Sequence, residues 1–411
     1  MKVSHVVVAN VFGAVNKGDA ALIEVCIDEI LEAYPNAEIS GIAYQPTTQR
    51  AHLPRVTWHE RLGNCVSDSI WRRRLCNVVR QGITICYVFL RRPWLLGRLI
   101  PGEQRRAIDA LGNADIVVSC PGGYLEDSNP SYYANLIQIW AAAKFGAIVV
   151  LAPQSVGPIR SRRGRWFAAK ILAKASLICV RESESYHFVV EELALPAARV
   201  ARTGDLAFWH APAAAATSAM RAELGLAQNE PYIAVSVIQW AFPLATDQAQ
   251  AKERYVRNIC ELLHLLYDTL GVRIVIVNQV AADLPVGREI ESRCSGIVIL
   301  DQKDRPVSDV RSIIAGASVF LGSRFHSCIF GLLAGRPLVA LSYLPKTSGI
   351  MSDLGLSSRV HDIDGFDVHE VAETMISDYR APTKGQAEIV RAVERYRSLY
   401  PRFADLLREA A

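Results

Sequence analysis

No apolar run in this 411-residue sequence reaches the roughly 18 residues a bilayer-spanning helix needs, so a membrane-spanning protein is not expected. No CxxC pair occurs among the nine cysteines, at 26, 65, 76, 86, 120, 179, 260, 294 and 328, and their number is odd. A disulfide scaffold or structural zinc site would show paired spacings. Several of these cysteines lie inside apolar runs, and all are expected to be reduced core residues. The nine histidines are equally scattered, which leaves no metal-ligand spacing and no metal site expected. A charge excess is missing too: a net charge of +4 is small for this length and points to no nucleic-acid partner. The strand-like Val6-Val7-Val8 leaves no room ahead of it for a leader peptide, so a cytoplasmic protein is expected.

What is present is alternation. Strand-like apolar runs at 5–10, 37–43, 115–119, 147–152 and 177–180 are separated by helical patterns that include 19–34, 131–145 and 182–194. Near-continuous hydrophobicity, as in Ala147-Ile148-Val149-Val150-Leu151, suits strands buried on both faces of a parallel sheet. After the linker-like stretch 211–219 the cycle restarts, with strands at 232–237, 273–277, 297–300, 317–321 and 337–341 and helices at 251–270, 307–315 and 326–334. The expected fold class is α/β: two doubly wound Rossmann-like domains facing across a cleft, residues 1–210 and 220–384. A helical stretch over 385–411 is expected to pack back on the first domain. Ligands in such sheets bind at the carboxyl ends of strands, so chemistry should come from the loops just after them.

One segment breaks the alternation. Residues 71–106 carry Arg72, Arg73, Arg74, Arg80, Arg91, Arg92, Arg98, Arg105 and Arg106 against a single acid, Glu103. Ile83, Ile85, Tyr87, Phe89, Trp94, Leu95 and Leu96 interleave with them. Two accounts stay open: a solvated helix followed by a core strand, or an element lying on an anionic membrane surface at the inner face of the cytoplasmic membrane.

Candidate chemistry sits at strand ends. The stretch from Gly13 through Asn16, Lys17, Gly18 and Asp19 has glycine spacing but lacks the Lys-Ser/Thr pair of a phosphate loop, and a carboxylate there would repel phosphate. Asp19 suits a helix cap or a first-turn acid, with acceptor binding or base catalysis as the functional alternative. Gly122-Gly123 and Ser155-Val156-Gly157-Pro158 are expected as loops after successive strands, forming a cleft edge. Arg181, followed by Glu182, can fork onto a carboxylate or phosphate, or pair locally. The strongest stretch is 317–349. Arg324 and His326 arrive where a buried strand passes into a helix, and Lys346 follows the next strand. Together they form an anion site with a resident acid.

In order along the chain, Asn16-x-Gly18-Asp19, Gly122-Gly123, Ser155-Val156-Gly157-Pro158, Arg181-Glu182-Ser183-x-Ser185, Gly204-Asp205, Arg324-Phe325-His326, Gly335-x-Pro337 and Tyr343-Leu344-Pro345-Lys346 resemble the polysaccharide pyruvyl transferases. The resemblance implies a fold similar to that of GT-B glycosyltransferases. It also implies transfer of pyruvate, as a ketal, from phosphoenolpyruvate to a saccharide or lipid-linked oligosaccharide in exopolysaccharide or cell-surface glycan synthesis. Phosphoenolpyruvate is a substrate, and no cofactor is implied. On this basis His326, Arg181 and Asp19 are the expected catalytic residues. Arg324, Lys346, Asn16, Gly122, Gly123 and Glu182 are the expected substrate-binding residues, with the first domain as the acceptor side and the second holding the donor. A glycosyltransferase using a sugar nucleotide, or a non-catalytic subunit of a polysaccharide assembly machine, are the alternatives.

Overall fold

A computed structural model describes residues 3–65, 69–90 and 94–411, without the side chains of Ile70, Arg73, Arg74, Trp94 and Leu95. Of the basic segment, Arg91 and Arg92 therefore lie outside the described residues, as do the side chains of Arg73, Arg74, Trp94 and Leu95. The chain divides into two compact units. One comprises Met1–Ala14, Asp19–Trp209 and Tyr400–Ala411; the other comprises Val15–Gly18 and His210–Leu399.

The first unit is a parallel sheet of β1 (His5–Val11), β2 (Glu38–Ala43), β3 (Thr57–Glu60), β4 (Ile116–Ser119), β5 (Gly122–Leu125), β6 (Ile148–Val156), β7 (Leu177–Val180) and β8 (Val200–Arg202). Their order is β3-β2-β1-β4-β6-β7-β8, with β5 beside β6. Val6, Val7 and Val8 are all fully buried, as expected of a central strand covered on both faces. The chain winds outward from β1 through β2 and β3, then returns to the other side of β1 as β4. The reversal falls between β1 and β4, whose pairing ends at Ala9 opposite Ser119.

The second unit repeats the scheme with β9 (Tyr232–Ser236), β10 (Arg273–Ile276), β11 (Val298–Leu300), β12 (Phe320–Gly322), β13 (Leu338–Ser342) and β14 (Val360–Asp362) in the order β11-β10-β9-β12-β13-β14. All pairs are parallel, and the reversal lies between β9 and β12, where Gly322 stands opposite Ser236. Its longest helix, Gln248–Leu270, starts at Asp247, whose carboxylate accepts from the Gln250 amide at 3.0 Å, and stops at Gly271 with φ of 66°. Val256, Ile259, Leu263 and Leu266 recur at helical spacing and are wholly buried. Each such side chain contributes about 1.5–3 kcal/mol.

Several expectations are corrected. Gly122-Gly123 is not a loop but opens β5, with Gly122 paired to Gln154. β6 runs on to Val156, so Ser155 lies inside a strand. The 182–194 helix is a short α-helix, Ser183–His187, followed by a π-helical turn, Phe188–Glu192. The C-terminal stretch is two helices: Pro382–Leu399 groups with the second unit and Phe403–Ala410 with the first. There Glu29 accepts from the Ala404 amide at 2.9 Å and Tyr34 donates to the Leu407 carbonyl at 2.7 Å. The first half of the basic segment forms the helix Ile70–Phe89, and the rest includes the helical turn Trp94–Gly97 and the start of the helix Gly102–Gly112, where a core strand was one account.

The cysteines also differ from expectation. Cys65 and Cys76 form a disulfide, their Cα atoms 6.0 Å apart, because the loop after β3 meets the start of the Ile70–Phe89 helix. Cys86 is exposed and Cys260 half-buried, while Cys26, Cys120, Cys179, Cys294 and Cys328 are buried free thiols. No helix among the described residues is long and apolar enough to cross a membrane.

Candidate active site

In the second unit the carboxyl ends of β9 and β12 diverge at the sheet reversal, the place where open α/β sheets bind ligands. Ser236 closes β9, and its hydroxyl accepts from the Ser323 amide at 3.0 Å. Ser236 and Ser327 hydroxyls share a hydrogen bond of 2.7 Å, and Ser327 donates to the Arg324 carbonyl at 2.6 Å. These buried bonds fix the turn that carries the chain from β12 into the helix Phe325–Leu333 and hold Arg324 at its N-cap.

The Arg324 guanidinium forks onto Asp283. Nε donates to Oδ2 at 2.7 Å and Nη2 to Oδ1 at 2.6 Å. Asp283 Oδ1 also accepts from the Gln239 amide at 2.8 Å. A bidentate pair with a third bond on its carboxylate fixes the plane of the guanidinium. Tyr343, just after β13, lies near Arg324; burial pushes its phenol up, and the Arg324 cation opposes that. Trp240 packs edge-on against Tyr343, ring centroids 4.8 Å apart.

His326 occupies the first turn of the same helix, its ring 5.0 Å from that of Phe325, and the Lys346 ammonium stands 5.2 Å over the Phe325 ring. Phe325, itself buried, thus serves as the spacer for both groups. The segment Val15–Gly18 belongs to this unit, and the His326 imidazole lies against Gly18: a Cβ there would stand 2.1 Å from Nδ1, so only glycine fits. Asn16 Oδ1 accepts from the Gly18 amide at 3.0 Å and caps the helix Lys17–Ala33. Lys17, which precedes Gly18 and so does not stand at the lysine position of a phosphate loop, is bound to Asp304 at 2.5 Å.

A separate cluster gathers at the carboxyl edge of the first unit. Arg181 follows β7 and is largely buried; Nε donates to Ser155 Oγ at 2.8 Å and Glu182 Oε2 at 3.0 Å, and Nη1 to Asp205 Oδ2 at 3.0 Å. Burial pulls the guanidinium down, but the charges of Asp205 and Glu182 outweigh it and leave it raised. Ser185 donates to Glu182 Oε1 at 2.5 Å, so both oxygens of Glu182 are oriented. Gly123 lies over this group: a Cβ there would be 3.7 Å from Arg181 Nη2. Gly122, at φ of 141°, is required because a Cβ would come 2.4 Å from the Tyr124 ring.

Tyr124 stacks on Phe12, centroids 4.1 Å apart, and its phenol lies beside Asp19, which is in the first turn of its helix. Burial, then the Asp19 charge, push the Tyr124 phenol well up, so it stays neutral beside the carboxylate. Behind them Asn10, at φ of 64°, donates to Ser119 at 3.0 Å and accepts from Gln138 at 2.7 Å, tying β1 to β4 at the reversal.

The structure thus collects the expected residues into two groups: Asp19, Gly122, Gly123, Arg181 and Glu182 in the first unit, and Asn16, Arg324, His326 and Lys346 in the second. Asp283, Ser236 and Tyr124 take part without having been singled out as site residues. Asp283 carries no motif; its only sequence signal is an acid following a strand.

The family description "Polysaccharide pyruvyl transferase" matches residues 16–345. The amylovoran biosynthesis protein AmsJ of Erwinia amylovora is 22% identical over 93% of this chain and 94% of its own length. Among solved structures, UDP-GlcNAc 2-epimerase from Neisseria meningitidis superposes with a TM-score of 0.60 at 12% identity, covering 99% of both chains. A glycosyltransferase from Rickettsia africae gives 0.58 at 10% identity, over 100% of this chain and 97% of that one. Likenesses at such identity concern the fold, which is GT-B-like. With the sheets, the ordered motifs and their strand-end placement in agreement, the chain belongs to the polysaccharide pyruvyl transferase family, a transferase of polysaccharide synthesis.

Proposed function

We propose that the chain transfers pyruvate from phosphoenolpyruvate to two hydroxyls of a sugar, free or lipid-linked, releasing phosphate and leaving a cyclic ketal. The observation that carries this is Arg324, locked by Asp283 at the sheet reversal of the second unit beside His326 and Lys346. Asp283 neutralises Arg324, so the attraction for a donor bearing phosphate and carboxylate comes from Lys346, protonated His326 and the helix N-terminus, with Arg324 supplying oriented donors. His326 gives a proton to the methylene carbon, which places cationic character on the central carbon. One sugar hydroxyl adds there and loses its proton. Phosphate leaves with the C–O electron pair, and the second hydroxyl closes the ketal.

On the acceptor side, Asp19 or Glu182 receives the hydroxyl protons. Arg181 carries two carboxylates for one charge, which suits orienting Glu182 better than capturing an anion. The test is release of inorganic phosphate from phosphoenolpyruvate that depends on added saccharide, alongside thermal shifts with phosphoenolpyruvate and with sugar nucleotides. Stabilisation by a sugar nucleotide and indifference to phosphoenolpyruvate would favour the glycosyltransferase alternative and sink this one.

Tyr124→Phe offers a finer check. The neutral phenol beside Asp19 is a donor available to its charged form, so removing it should favour the protonated carboxyl. If Asp19 is the base, the rate is present when it is ionised and lost as pH falls through its pKa. The acid limb of the pH–rate profile should therefore move to higher pH, with an unchanged limb assigning the base elsewhere.

A further inference from the structure

A surface helix normally turns its polar side outward. The helix Ile70–Phe89 turns apolar side chains outward as well as inward. Its inner side holds Thr84 and Val88, both buried, with Tyr87 and Ile83 half-buried against the first unit's core. Arg80 donates to the Asn64 carbonyl at 2.6 Å, Gln104 donates to the same oxygen at 2.7 Å, and the Cys65–Cys76 disulfide joins the helix start to that loop. The element is docked, not loose. Yet its outward side displays Trp71, Leu75, Val78, Val79, Ile85 and Phe89, at the 3–4-residue spacing of a single helical stripe, with Leu75 68% and Val78 67% exposed. Among the described side chains no charged residue interrupts the stripe; Gly82 and Cys86 complete it.

Beside this helix packs the helix Tyr132–Phe145, whose Lys144 ammonium lies 5.2 Å over the Phe89 ring. Against that one packs the helix Arg162–Leu172, which exposes Trp166 and Phe167 next to Arg162 and Arg163. Exposed apolar side chains and arginines thus occur on the two outer helices of three, with Tyr133 and Lys144 exposed on the one between them.

We propose that this face of the first unit docks on a bilayer containing anionic phospholipid, with the Trp71–Phe89 stripe entering the headgroup–acyl boundary and the arginines, Arg72 and Arg105 among them, contacting lipid phosphates. Charge selects this occupant. Over 71–106 the sequence has nine arginines and one acid, and among the described residues Arg72, Arg98, Arg105 and Arg106 are exposed; such charge would repel a second copy presenting the same face but complements an anionic surface. An exposed apolar stripe flanked by arginines is the pattern of a helix lying in the membrane interface, and no described helix is suited to crossing it. The proposal stands apart from the transfer chemistry and needs no particular substrate.

The test is co-sedimentation of the full chain with vesicles of phosphatidylcholine alone and with roughly 30 mol % phosphatidylglycerol, an anionic fraction giving a negative surface potential. Binding is expected to the anionic vesicles and to be weak on the neutral ones. Leu75→Gln with Val78→Gln, which alters exposed positions and no charge, should lower partitioning at least roughly tenfold. Arg72→Glu with Arg105→Glu should lower it by a similar or larger factor, since each basic residue near the surface contributes about fivefold. Circular dichroism and melting temperature confirm folding, and phosphate release with a water-soluble saccharide should be unchanged, so a failure here is distinct from a failure of the transfer reaction. The proposal is overturned by equal binding to both vesicle types, by binding to neither, by unaltered binding of Leu75→Gln/Val78→Gln, or by a dimer in solution that this variant dissolves.

Discussion

Arg324→Ala is expected to lower turnover of phosphoenolpyruvate by roughly a hundred- to a thousandfold, the range found when one oriented charge-stabilising donor is removed from an active site. The substitution removes the guanidinium and also leaves Asp283, almost wholly buried, as an uncompensated carboxylate where an anionic donor must bind. Both effects act in the same direction. The partner variant separates them. Asp283→Asn keeps the shape and one acceptor but leaves Arg324 with excess positive charge, so the site should still attract the donor while the guanidinium loses its fixed plane. Binding should then survive better than turnover, with KM changing less than kcat. Asp283→Ala breaks a largely buried pair by removing one member and should cost about 3 kcal/mol of stability, read from urea denaturation. Arg324→Lys, which keeps the charge but not the fork, should fall near Ala in kcat if geometry governs and near wild type if charge alone does. Equal phosphate release from wild type and Arg324→Ala would remove Arg324 from the mechanism.

What could be read in advance follows from which forces are local. β1 was legible because Val6-Val7-Val8 states its burial in its own composition, and the helix Gln248–Leu270 because its apolar positions recur at helical spacing. β8 is three residues long, Val200–Arg202, too short for any periodicity to show. Gly122-Gly123 has the composition of a turn, and only pairing with Gln154 and Val156 makes the segment a strand. Arg324, His326 and Lys346 were legible because a strand end and a helix start flank them in sequence. Asp283 was not: it reaches Arg324 across 41 positions of chain, and nothing near it in sequence declares the contact. The Cys65–Cys76 bridge escaped for the same reason, since its spacing matches no cysteine motif and the meeting of loop and helix is tertiary. Arg181 was found as a candidate, but its three partners, Ser155, Glu182 and Asp205, emerge only from packing.

His326→Ala should reduce kcat by roughly a hundred- to ten-thousandfold if the imidazolium delivers the proton to the methylene carbon. A histidine wedged against Gly18 and Phe325 has an alternative explanation, as a spacer whose loss loosens the helix start. The two roles leave different signatures. His326→Gln fills most of the ring's volume and keeps polar character, so it should restore melting temperature without restoring kcat if the residue is an acid, and restore both if it is a spacer. The pH profile gives a second readout. An acid acts in its protonated form, so its contribution is full at low pH and is lost as pH rises through its pKa. The wild-type rate should therefore fall on the alkaline side, and that fall should vanish in His326→Gln. Hydrogen exchange adds a third. In D2O, wild type should label the methyl group of the ketal product, because the carbon protonated in the first step becomes that methyl. Variants lacking the acid should form labelled product only slowly. Ketal formed without solvent deuterium in the methyl group would contradict protonation at carbon from any solvent-exchangeable group, His326 included.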